Sequence, residues 1–316
     1  MKRRQFIHQS SIATTLLGTL GHREALWADC NLLSEDARPK HLLSSSLFGY
    51  TELDKILPIA KRLGITSLDV WPKVHGNQRE QLNEMGEEKF VELLSRHDCK
   101  LDCLTQYPLG PFGLAEEMRL AKRLGCQTIV TGSGGPKGLQ GVELKSSIRE
   151  FTEKLKPHLE LAQECDVSIA IENHASSLLD SPDSMRWLFE MRPSDRLGIA
   201  FAPYHLEQDQ EVLEKLVRDV LPCIEVFYAW QHGKGCMQAQ PKQDERFQLP
   251  GRGSLDFTPL FRELIKGDYR GWIEIFMHPF PRGIPIAEDL QEVFDLISES
   301  KSYVDRTWQA AQKSGL

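Results

Sequence analysis

The run "VSIAIENH" ends on Glu172, Asn173 and His174. An acid at the end of so apolar a stretch is costly unless it is protonated, paired or bound to a metal. That makes Glu172 a candidate general base or metal ligand, with a structural ion pair as the plainer use. Other polar and aromatic groups gather in the same way where apolar runs give out. "VWPKVHG" holds Trp71, Lys73 and His75, and "TQYPLGPF" holds Tyr107. "APYH" holds Tyr204 and His205, "YAWQHG" holds Tyr228, Trp230, Gln231 and His232, and "FMHPFPRG" holds His278 and Arg282. Side chains two apart share one face of a strand. Glu172 and His174 therefore point the same way, as do Tyr228, Trp230 and His232. A polar rim that collects histidines by chance is the bland alternative.

The elements needed to position these groups are legible as eight short apolar runs alternating with amphipathic stretches. The strand candidates are "LLSSSLF" from Leu42, "SLDVW" from Ser67, "KLDCLTQY" from Lys100 and "TIVTGSG" from Thr128. They continue with "VSIAIENH" from Val167, "LGIAFAPYH" from Leu197, "IEVFYAWQ" from Ile224 and "GWIEIFMHP" from Gly271. Between them, "ELDKILPIAKRLG", "EEKFVELLSRHD" and "AEEMRLAKRLG" repeat apolar residues at three and four, the helical period. Strand–helix alternation implies parallel pairing. Eight such units predict an α/β fold of the closed (β/α)8 kind, a TIM barrel, whose chemistry lies at the C-terminal strand ends. No GxGxxG follows the first strand, which counts against a dinucleotide fold. The irregular segment 232–255 follows strand seven and has the length of a functional lid.

The chain has 316 residues and a net charge of −7. It opens "MKRRQFIHQSSIATTLLGTLG", with paired arginines ahead of a weakly apolar stretch. This reads as a twin-arginine export signal over residues 1–28, followed by a polar linker at 29–40 and one barrel domain at 41–316. The expected location is periplasmic. Cleavage near Ala28 removes Lys2, Arg3, Arg4 and Arg23 with one acid, Glu24, and moves the net charge from −7 to −10. So acidic a protein is a poor partner for phosphate backbones, so nucleic acid is excluded as a partner. No apolar run is long enough to span a membrane in the mature chain. Seven cysteines leave at least one unpaired. Cys99 and Cys103 share a strand and stand too far apart for a disulfide.

"IAIENH", "APYH" and "LPGRGSLDFTPLFRELIKGDYRGWIEIF" together resemble the xylose-isomerase-like TIM barrel superfamily over roughly residues 42–300. That superfamily includes sugar phosphate isomerases and epimerases and the endonuclease IV repair enzymes. The resemblance implies a small carbohydrate as partner, and with the export signal it is nearest to exported isomerase/epimerase-like members. It also implies a divalent metal on four strand ends. Those positions fall on Glu172, Ala202, Tyr228 and Phe276, of which only the first is a ligand, unless Glu274 serves through a shift of register. A rebuilt site would draw a transition metal to Glu172 with His174, His205, His232 or His278. Without metal, Glu172 as base, His205 as acid and Tyr228 as donor to an enolate oxygen would move a proton beside a sugar carbonyl.

Lys73, Arg252 and Arg282 would hold an anionic or polyhydroxylated substrate, with His75, His174, Gln231, His232 and His278 beside it. Trp71, Tyr107 and Trp230 would pack on a sugar ring, though plain core packing competes for each. A sugar-binding barrel without catalysis is the alternative function, and a homo-oligomer is compatible with either. The repair enzymes' metal-binding Asp-x-His aligns with Glu245 and Phe247, which loses the histidine.

Overall fold

The computed structural model describes residues 38–314. The expected export signal and most of the expected linker lie outside the described residues. Eight parallel strands run β1 (Lys40–Ser44), β2 (Ser67–Val70), β3 (Lys100–Thr105), β4 (Thr128–Gly132), β5 (Ser168–Glu172), β6 (Leu197–Phe201), β7 (Ile224–Ala229) and β8 (Trp272–Ile275). Each pairs with the next, and β8 returns to β1 with Lys40 opposite Trp272 and Leu43 opposite Ile275, closing the barrel. The first strand thus begins at Lys40, the last residue assigned to the linker. Its expected extension, Ser45–Leu47, is instead a 3-10 turn.

The outer helices are α1 (Leu53–Leu63), α2 (Gln78–Met85), α3 (Glu87–Arg96), α4 (Ala115–Leu124) and α5 (Gly141–Cys165). They continue as α6 (Pro182–Met191), α7 (Gln210–Val220), the short α8 (Lys242–Glu245), α9 (Phe257–Lys266) and α10 (Leu290–Ser314). In α1 the residues Ile56, Leu57, Ala60 and Leu63 form the buried stripe that the helical period requires. Gly64 and Gly125 end α1 and α4 at φ 66° and 76°, where a side chain would be strained.

The barrel interior is filled, as in other barrels of this kind, by inward side chains. Here many are polar. Asp69, Thr105, Glu172, Tyr228 and Glu274 are all buried. Thr105 Oγ1 donates to Asp69 Oδ2 at 2.7 Å, and the Trp71 indole N–H donates to the same oxygen. Burial holds Asp69 up to about 6 and Glu274 well above the usual carboxylate range, the Asp69 charge adding to the second effect. On β6 and just past it the chain is small, with Ala200 and Ala202 fully buried. The described cysteines, Cys99, Cys103, Cys126, Cys165, Cys223 and Cys236, are all free and buried.

Candidate active site

Glu172 is the last residue of β5, and the chain leaves the barrel through Asn173 and His174. Asn173 is fully buried and clamps the neighbouring strand end. The Ala202 amide donates to its Oδ1 at 2.7 Å, and its Nδ2 donates to the Ala202 carbonyl at 2.9 Å. The clamp sets the start of the 3-10 turn Pro203–His205 and so aims the His205 ring. His205 Nε2 stands 3.5 Å from Glu172 Oε1, and the His174 ring lies 4.0 Å from the His205 ring. Across the mouth, His278 stacks on His75 at 4.2 Å. Trp230 stacks on Tyr204 at 3.9 Å and donates its indole N–H to Gln248 Oε1 at 3.1 Å.

These groups border one cavity of about 320 Å³, lined by His75, Tyr107, Glu172, His174, His205, Trp230, Cys236, Met237, His278 and Arg282. That is a monosaccharide-sized space at the lower end of ordinary ligand pockets. A larger hollow of about 480 Å³ opens at the opposite end, among Lys40, Gln127, Ser168, Arg196 and Trp272. It lies at the N-terminal strand ends, away from the face where barrels do chemistry, and brings together no carboxyl and imidazole.

Desolvation dominates the electrostatics. Burial raises Glu172 to about 8, with the charge of His174 opposing it. Burial lowers His205 to about 3, with His232 adding to the effect, and lowers His75 to about 4, with Arg282 adding. His174 is lowered, and His278 is driven well below its ordinary value, burial leading in both. Near neutral pH the four imidazoles are therefore uncharged and Glu172 is largely protonated. The Glu172–His205 contact joins two neutral groups and carries little ionic attraction. His75 Nδ1, Tyr107 Oη, His205 Nε2 and His278 Nδ1 are buried and unpartnered among the described residues. Four idle hydrogen-bonding atoms around one small cavity are uncommon in a folded protein.

Eight of the residues expected at the site meet there: Glu172, His205, His75, Tyr107, His174, Trp230, His278 and Arg282. The others sit elsewhere. Tyr228 is fully buried in the barrel, its hydroxyl unpartnered and its ring 5.0 Å from Phe276, so it does not reach an enolate in the cavity. Trp71 is floor packing, 5.2 Å from Phe276. Gln231 is buried and spends its amide on the Leu255 carbonyl at 2.6 Å. His232 is exposed, with Nδ1 3.2 Å from the Tyr204 carbonyl. Lys73 is exposed and lies over the Tyr50 ring, and Arg252 pairs with Glu299 on α10. Cys236 and Met237 were not anticipated. They reach the cavity from the long segment after β7, whose length was the only available signal.

Residues 57–298 match the xylose isomerase-like TIM barrel family. The chain belongs to that family. Among solved structures it is similar to an L-ribulose 3-epimerase, with TM-score 0.65 and 13% identity over 87% of this chain and 96% of that one. It is similar to 3-keto-D-glucoside 4-epimerase, YcjR, from E. coli, with TM-score 0.61 and 15% identity over 84% and 100%. It is also similar to the IolI protein with a binding zinc atom, with TM-score 0.61 and 14% identity over 88% and 99%. No curated protein sequence matches the chain.

At the four positions that the resemblance assigns to a metal, the residues other than Glu172 do not fit a divalent ion. Ala202 offers a methyl group and Phe276 a phenyl ring. Tyr228 offers a phenol raised well above its usual value by burial and by Glu274. Phe276 itself offers no donor atom and is ringed by Trp71, Tyr228, Trp230 and His278 at 4.6–5.2 Å. The histidine-rich alternative does not converge either. Among the described residues no three His, Cys, Asp or Glu side chains are placed to hold a metal.

Proposed function

We propose that this chain is a carbohydrate isomerase or epimerase that moves a proton beside a carbonyl with its own side chains, the family's metal site having been given up. The observation that carries this is the carboxyl of Glu172 beside the His205 imidazole, 3.5 Å apart, on a cavity whose other walls present unpartnered hydrogen-bonding atoms. Glu172, once deprotonated, takes the proton from the carbon next to the carbonyl. The Glu172 carboxyl so formed gives that proton back to oxygen or carbon, and the neutral His205 imidazole beside it relays the proton between positions, so none is gained or lost. Tyr107 Oη, which lines the cavity, replaces Tyr228 as donor to the developing enolate oxygen. His75 and His278 bind hydroxyls, and Trp230 lies against the ring. The epimerase names among the structural neighbours support the reaction class at low identity. The paired arginines Arg3 and Arg4 support export by the twin-arginine route to the periplasm.

The test is solvent deuterium exchange into ketoses and keto-sugars followed by NMR, comparing the natural chain with Glu172→Gln. Exchange should fall about a hundredfold or more in the variant. An unchanged rate removes Glu172 from the mechanism. The second reading, a sugar-binding barrel without catalysis, is favoured by Ala202, Tyr228 and Phe276 at the former ligand positions. Saturable binding with no exchange in the natural chain would select it.

A further inference from the structure

Arg282 differs from the other cations around the mouth. Lys234 pairs with Asp244 at 3.0 Å, Lys242 with Glu245 at 2.9 Å, Arg246 with Glu292 at 2.6 Å, and Arg252 with Glu299. Arg282 has no acidic partner among the described residues. Its Nη1 donates to the Pro279 carbonyl at 2.7 Å, and its Nη2 donates to Cys236 Sγ at 3.3 Å. A guanidinium carries five N–H donors, so these two contacts orient the group and leave most of its capacity free. Arg282 lines the cavity beside His75, His174 and His278, and its charge adds to the burial that lowers all three imidazoles. Those imidazoles are neutral and do not compete with it. The only acid on the cavity wall is Glu172. An acidic chain thus keeps one uncompensated, half-buried cation at the place where a ligand sits.

We propose that Arg282 is a carboxylate-binding residue and that the substrate is an acidic sugar, a uronate or a keto-acid sugar, rather than a neutral one. The proposal rests on the cavity being the carbohydrate site. A planar guanidinium matches a carboxylate in charge and in its paired oxygens. A phosphate, with nearly twice the charge, is ordinarily cradled by several backbone amides or further cations, and no second unpaired cation lines this cavity.

Calorimetric titration of the full-length protein with D-galacturonate and D-glucuronate, beside D-galactose, D-glucose and D-glucose 6-phosphate, tests this directly. At least one uronate should bind about tenfold or more tightly than its neutral counterpart. Arg282→Gln should erase that preference while leaving neutral-sugar affinity within about twofold. Arg282→Lys should keep part of it, and thermal melts of both variants establish that they fold. Equal affinity for acid and neutral sugar overturns the proposal. So does tighter binding of the phosphate, an equal loss of both sugars in Arg282→Gln, or no uronate binding at all. A uronate that binds through Arg282 without deuterium exchange upholds this assignment and removes the proposed reaction.

Discussion

The carboxamide of Asn173 makes two hydrogen bonds to the Ala202 backbone and is itself sealed from solvent. Its task is to carry the strand end from which His205 turns toward Glu172. Asn173→Ala leaves the buried Ala202 N–H without a partner, a loss of about 1–3 kcal/mol, while the Ala202 carbonyl keeps the His205 amide at 3.3 Å. Urea unfolding should show a destabilisation of that order, and deuterium exchange should slow as His205 loses its aim. A variant as stable as the natural chain would mean that the backbone at Ala202 finds other partners. Asn173 illustrates a wider point about single residues here. Its neighbours in "IENH" advertise chemistry by their type, whereas the value of an amide depends on which backbone lies across from it.

At the scale of elements, β6 runs LGIAF, buried throughout and without a polar side chain. Ala202 is fully buried beside Asn173, and Phe276 fills the space beyond Tyr228 with rings. Ala202→Asp, which places an acid where the resemblance expects one, therefore adds a carboxyl at a fully buried position. The expected outcome is a destabilised protein with no gain of zinc or manganese by elemental analysis, the cost being several kcal/mol for an unpaired buried acid. Stoichiometric metal in that variant would show that one substitution rebuilds the centre.

The eight strands were legible in the sequence because each is a short apolar run bounded by a helical period. Glu172, His205 and His278 were legible because each stands where such a run ends. Tyr228 misled because alternation tells which face a side chain takes, not how deep in the barrel it lies. Trp230, two residues on and just past the strand, is the one at cavity level. Lys73 and Arg252 lie on loops whose direction no periodicity encodes, and the same blindness hid Cys236 and Met237. Asp69 passed unnoticed because its strand reads as ordinary core, and Glu274 entered only through a possible shift of register.

Taken as a whole, the molecule buries three acids inside its ring. Glu172, Asp69 and Glu274 are all held above their ordinary range, chiefly by burial. A carboxyl raised on folding favours the folded chain below its unfolded value, and that support is lost as pH climbs through the folded value. Stability should therefore fall between about pH 4 and pH 8, the span from ordinary carboxyl values to that of Glu172. Glu274→Gln removes one of these groups at constant shape. Its melting temperature at pH 8 should exceed that of the natural chain by about 3 °C or more, with the difference shrinking toward pH 4. A melting curve independent of pH across this range would mean the acids are ionised in place.

The pairing of Lys40 with Trp272, and of Leu43 with Ile275, has a consequence for processing. A cut near Ala28 leaves the ring whole. One that strips Lys40–Ser44 bares β2 and β8 as two facing edges, rows of unsatisfied amides that recruit strands from other copies. The seam of the barrel thus sets how far the chain can be trimmed from this side, since cutting past Lys40 would turn a closed ring into a seed for aggregation.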